Sequence, residues 1–126
     1  MIEFDEIQIK FINHKEQRYE TAGDYYLKGK TLHMRISKCE DQKSGKRNRL
    51  IEFWCLIHEM VEVLLVIARN ISIDKIDEFD MSFKGEDEPG DDPAAPYYKE
   101  HQFATIVDKQ MAAELLILNK INEWED

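Results

Sequence analysis

Between Arg49 and Asn70 almost every side chain is apolar, and the polar interruptions are few: Glu52, His58, Glu59, Glu62 and Arg69. Such a run exceeds the length of ordinary strands, so it predicts a helix. Being apolar on nearly every side, that helix is expected at the centre of the fold rather than on its surface. Its acids then become the problem to solve, since a buried carboxylate without a partner costs several kcal/mol even after relaxation, about the stability of a marginal domain.

The run contains His58-Glu59-Met60-Val61-Glu62, an HExxE pattern. Positions i and i+4 share a helix face, so His58 and Glu62 reach one point, and Glu59 lies beside it, about 100° round the helix. Pairing with Arg35, Arg69 or a lysine would satisfy these acids, and so would a metal ion, which takes an imidazole nitrogen and a carboxylate oxygen directly. A later segment favours the metal. His101 falls on the stripe Tyr97, His101, Ala104, Asp108, Met111, Ala112 and Leu115, the expected inner face of a helix from about Pro96 to Asn122. Small residues there allow close helix approach. Two nitrogens and one carboxylate are the donor set of an open zinc site, which makes His58, Glu62 and His101 the expected ligands and zinc, or another divalent transition metal, the expected cofactor. Asp77 and Asp80, on a short acidic helix, would add a ligand or orient an imidazole. Glu59 has the place of the general base in metallopeptidases.

The remaining elements give an α+β class. Ile7, Ile9 and Phe11 alternate with polar neighbours and predict a half-buried strand; Tyr26-Leu27 and Thr31 to Ser37 flank the turn Lys28-Gly29-Lys30. Leu32, Met34 and Ile36 share one face, His33 and Arg35 the other. These strands predict a small antiparallel sheet packed on the apolar helix. Lys38 to Arg49 reads as a polar loop whose Lys43, Lys46, Arg47 and Arg49 are solvated. Asn70 would end the long helix and Ser72 would cap a short one, Ile73 to about Phe83. Glu86 to Pro96 is a loop stiffened by three prolines. The 126 residues predict one domain.

Charge narrows the partners. The net charge is −9, and nine acids against two lysines crowd the segment from Asp74 to Asp92. Such a surface repels a phosphate backbone, so no nucleic-acid partner is expected. No run reaches the roughly 18 apolar residues of a membrane span, and the acidic start has no leader character, so a cytoplasmic protein without a membrane partner is the expectation. Cys39 and Cys55 form neither a CxxC pair nor a disulfide framework.

The runs LIHEMVEVLL, IDEFD and EPGDDPAAPYYKEHQFATIVD, with Gly23-Asp24-Tyr25-Tyr26 before them, resemble a family of small phage and bacterial proteins. The likeness covers about Arg18 to Asp108 and implies a shared order of motifs rather than an activity. A second resemblance is to minimal zincin metallopeptidases, whose strands are followed by an HE helix and then a helix with a further ligand. This chain differs in placing Glu62 where zincins have their second His, and His101 where many have Glu.

The expected function is therefore a zincin-like, metal-dependent hydrolase of a peptide or amide bond, with the strand Leu32 to Ser37 as the edge that receives an extended substrate. One alternative is a non-catalytic, metal-stabilised module for a protein partner, closed by Asp77 or Asp80. The other is a magnesium-dependent nucleotide pyrophosphohydrolase, because Glu59/Glu62 and Asp77/Asp80 imitate its carboxylate spacing. The two histidines argue against magnesium. The EPGDDP loop is expected to fold over the site, with Tyr97 or Tyr98 offering a hydroxyl.

Overall fold

The structure is a computed structural model that describes residues 2–117. Three strands, β1 (Glu6–Ile12), β2 (Gly23–Lys28) and β3 (Thr31–Ser37), are followed by three helices, α1 (Arg49–Ala68), α2 (Ile73–Ser82) and α3 (Tyr98–Ile117). Single 3-10 turns occupy His14–Glu16 and Pro89–Asp91. The α+β class stands. No helix among the described residues is long and apolar enough to cross a membrane.

The sheet order is β1-β3-β2. β2 and β3 form the expected hairpin, its turn made by Gly29 at φ +63°, a conformation glycine adopts without a Cβ clash. β1, however, pairs parallel with β3, Ile7 opposite Leu32 and Phe11 opposite Ile36, so the sheet is mixed and not antiparallel. The segment after β1 passes across the end of the sheet and sets β2 on the far side of the place β3 later takes. β3 is thereby central rather than an edge, which corrects the expectation that Leu32 to Ser37 could receive a substrate strand.

Register explains burial. Leu32, Met34 and Ile36 are at most 1% exposed, beneath α1, and each contributes about 1.5–3 kcal/mol of hydrophobic stabilisation. Ile7, Ile9 and Phe11 stand opposite them in register and so share their face, yet they are exposed. The half-buried strand forms, but its apolar face is uncovered because α1 lies over β2 and β3.

α1 starts where the Asn48 side chain accepts from the Ile51 N–H at 3.1 Å. It stops before Asn70, which takes φ +53° while the Ile71 N–H reaches back to the Val66 carbonyl. It is less enclosed than its composition implies. Leu56, Val63 and Val66 are buried, whereas Phe53, Met60 and Leu64 are exposed. The Ser72 hydroxyl caps α2 by accepting from the Lys75 N–H. α3 begins at Tyr98 because Pro93 and Pro96 hold the preceding turns outside it; the last part of the expected helix, 118–122, lies outside the described residues. α1 and α3 run antiparallel, with Asp108 near Trp54 and His58, and Glu100 near Arg69.

The loop before α1 is more than a solvated connector. Arg47 places two guanidinium nitrogens on the buried Glu52 carboxylate, which also accepts the Cys39 N–H at 3.0 Å. Arg47 thus neutralises the first inward acid of α1 and holds its carboxyl below the usual range.

Candidate metal centre

α1, α3, the start of β2 and the Pro89–Asp91 turn enclose a cleft of about 480 Å³. His58 and Glu62 enter it from successive turns of α1, as their spacing requires, and His101 enters from the facing turn of α3. One ligand atom from each lies within 4.8 Å of the others. His58 Nε2 is 3.4 Å and His101 Nδ1 is 2.8 Å from the same oxygen, Glu62 Oε2. Two donors bound to zinc at about 2.0–2.1 Å in a tetrahedron stand about 3.3 Å apart, a spacing that the two separations from Glu62 Oε2 bracket.

The far side of each group is tied. Asp108 Oδ2 lies 2.5 Å from His58 Nδ1, leaving Nε2 toward the cleft. Asp91 Oδ1 lies 3.2 Å from His101 Nε2, leaving Nδ1 toward Glu62. The Tyr25 hydroxyl donates to Glu62 Oε1 at 2.8 Å, leaving Oε2 for the shared point. A histidine that ligates a metal commonly hands its other ring nitrogen to a carboxylate, which fixes the tautomer and raises basicity.

Without an ion, the electrostatics are those of paired charges. Burial disfavours the charged His58 ring, but Asp108 and Glu62 outweigh it and lift its pKa to about 11. Burial likewise opposes charge on His101, and Glu62 raises its pKa above the ordinary value. Burial would push the Glu62 carboxyl up, yet the two imidazoles hold it below the usual range. Glu59 is pushed well above it, first by burial and then by the neighbouring Glu62 charge. The Glu59 carboxylate stands 3.7 Å from His58 Nε2.

Two close backbone approaches shape the pocket. A Cβ on Gly23 would stand 2.7 Å from Glu59 Cγ, and one on Gly90 would stand 2.5 Å from His101 Cγ. Glycine at 23 lets β2 lie against Glu59. Glycine at 90 lets the EPGDDP turn rest on the His101 ring, so that loop does fold over the site.

The acids of α2 sit elsewhere. Asp77 receives the Arg18 guanidinium, which also clasps Asp24 through Nε at 2.7 Å and so ties α2 to β2. Asp80 reaches the cleft wall, but its oxygens accept the Tyr97 hydroxyl at 2.7 Å and the Tyr19 hydroxyl at 2.9 Å. The Tyr97 hydroxyl therefore supports Asp80. Asp108 and Tyr25 are the site residues that sequence reasoning left without a role. Asp108 carried a signal, since it is an acid on the same inner stripe as His101; Tyr25 carried none. The other two histidines lie away from the cleft: His14 bonds Glu20 at 2.8 Å, and His33 stacks on Tyr26.

No family model matches this chain, and neither does any curated protein or solved structure. The functional reading therefore rests on the site itself.

Proposed function

We propose that the chain is a metal-dependent hydrolase of zincin-like design, with His58, Glu62 and His101 holding a divalent transition ion, zinc in the first instance, and Glu59 serving as general base. The observation that carries this reading is the convergence of three donors on one point of a cleft, each with its outer atom already engaged by Asp108, Asp91 or Tyr25.

Such an ion supplies Lewis acidity, polarising a carbonyl and acidifying water toward a pKa of about 7. The chain's own groups do the rest. Asp108 holds the His58 ring with Nε2 toward the cleft, and the Asp91 carboxylate stands beside His101 Nε2 at 3.2 Å. Glu59, one helical position beyond His58, faces the space beside the shared point and is placed to accept a proton there. Asp77 and Asp80 are engaged by Arg18 and by two tyrosines, which supports an exchangeable position over a closed structural site and also speaks against paired magnesium carboxylates. β2, an edge of the sheet, lines the cleft with Gly23, Asp24 and Tyr25, so an extended peptide would meet β2 rather than β3.

The test separates binding from chemistry. Elemental analysis of protein reloaded after chelation should give one ion per chain, lost in His58→Ala and in His101→Ala. Glu59→Gln should keep the ion and the fold but lower hydrolysis in a peptide-library screen by about 10²–10⁴-fold. A chain that takes up no ion sinks the metal site. A loaded chain that cleaves nothing leaves the non-catalytic, metal-stabilised module as the reading.

A further inference from the structure

α1 is inverted relative to an ordinary surface helix. Its acids Glu52 and Glu62 are buried, while Phe53, Met60 and Leu64, 57%, 42% and 65% exposed, recur at helical spacing on an outer flank that carries no acid and has Arg49 one turn before Phe53. That flank points away from α3. Because α1 lies over β2 and β3 and the cleft it forms with α3 opens beside β2, the flank faces the β1 side of the sheet, where α1 leaves the strand uncovered. Ile7, Ile9 and Phe11 on β1 present 48%, 41% and 36% of their surface on the same side of the sheet. Floor and wall together make an apolar shelf. β1 adds a second unfilled valence: among the described residues no strand pairs with its outer edge, and it has no proline to discourage pairing.

We propose that this shelf is covered by a second copy of the chain, joined β1 to β1 about a two-fold axis perpendicular to the sheet. Antiparallel pairing centred on Ile9 sets Ile7 opposite Phe11 of the partner subunit and brings no like charges face to face. The axis keeps both α1 helices on one side of the resulting six-stranded sheet, so each flank descends over the other copy's uncovered strand. Charge favours this occupant. The chain carries −9, yet the six side chains of the shelf are apolar with Arg49 at the end of the wall, and the acidic α2 and EPGDDP segments lie on the β2 side, far from the axis. The area agrees as well. Six large side chains roughly half exposed offer on the order of 500 Å² of apolar surface, and a standard interface takes about 800 Å² per partner, about 65% apolar in homodimers. An interface whose two halves are the same patch is the isologous contact a two-fold requires.

The inference does not depend on the metal. Sedimentation equilibrium of the full chain should give twice the mass of one chain at micromolar concentration. Ile9→Glu on the floor and Leu64→Glu on the wall should each raise the dimer dissociation constant on the order of 100-fold, since either brings an unpaired carboxylate into an apolar contact. Both positions are exposed in the single chain, so its circular dichroism should be unchanged. Ile106→Glu on the outer face of α3 should leave the dimer intact. A monomer at 100-fold higher concentration would overturn the proposal. So would a dimer indifferent to both β1 and α1 substitutions, or one broken by Ile106→Glu.

Discussion

Asp108 engages His58 Nδ1 at 2.5 Å and so decides which nitrogen of that ring faces the cleft. Removing it leaves the ring free to turn and lowers its basicity, and losing such a partner costs about 10–100-fold in metal affinity. Asp108→Ala is expected near the upper end of that range and Asp108→Asn near the lower, because the amide oxygen still accepts the N–H but carries no charge. Competition against a chromophoric chelator measures both; equal affinity in wild type and Asp108→Ala would show that the contact does not position a ligand. Gly90 poses the complementary question, through space rather than charge. A methyl group there meets His101 Cγ at 2.5 Å, so either the turn lifts or the ring moves. Gly90→Ala should therefore weaken metal binding by at least about tenfold. Gly85→Ala is the control, because its methyl meets only the outer atoms of the Phe83 ring, remote from the cleft.

Among the elements, α2 contributes a titration. Burial lifts the Asp80 carboxyl to about 6, and the Tyr97 and Tyr19 hydroxyls only partly offset it. An acid that holds its proton more tightly when folded favours the native state below its unfolded pKa of about 4, and that contribution is lost as pH rises through about 6. Asp80→Asn keeps the shape and removes the charge. In urea denaturation with chelator present, the variant should gain on wild type between pH 4.5 and 7, by on the order of 1–3 kcal/mol. A gap that does not change with pH would mean that Asp80 is not the group concerned. The elements also show how far the sequence was readable. The HExxE face, the Ser72 cap and the inward set Leu32, Met34 and Ile36 were legible because each depends on neighbours within a turn or a pleat. The parallel pairing of β1 was not, because hydrophobic alternation marks a strand's faces and says nothing of its partner or direction. Nor was the exposure of Ile7, Ile9 and Phe11, which depends on where a helix 40 residues later happens to lie. Of the charged pairs, Arg47 with Glu52 spans a loop, and Arg18 with Asp77 bridges 59 positions; no local rule reaches either. The meeting of His58, Glu62 and His101 at one point was legible from residue type and helix face. The groups that orient it came from β2, the EPGDDP turn and a further turn of α3.

At the scale of the molecule, the proposed ion would add a link between α1 and α3 to the hydrogen bonds that already join them. Glu62 and His101 are 39 positions apart, and the stretch between them includes all of α2 and the EPGDDP loop. A ligand that binds only the native state adds about 2.7 kcal/mol at a hundredfold excess over its dissociation constant. For a chain of this size, that corresponds to a rise in melting temperature of roughly 5–10 °C, which chelation should reverse and His58→Ala should abolish. A melting curve indifferent to chelator, in protein shown to carry metal beforehand, would sever the link between the ion and the fold.

The position of β1 has a consequence in time. Of the three described strands it leaves the ribosome before the others, yet the strand that receives it among the described residues, β3, is made after β2 and the turn at Gly29. During synthesis Ile7, Ile9 and Phe11 therefore wait in the open while the hairpin that will hold them is still being assembled. The strand made before its two neighbours is thus the last of the three to find its place, and in that interval it is open to a chaperone or to the same strand of another nascent chain.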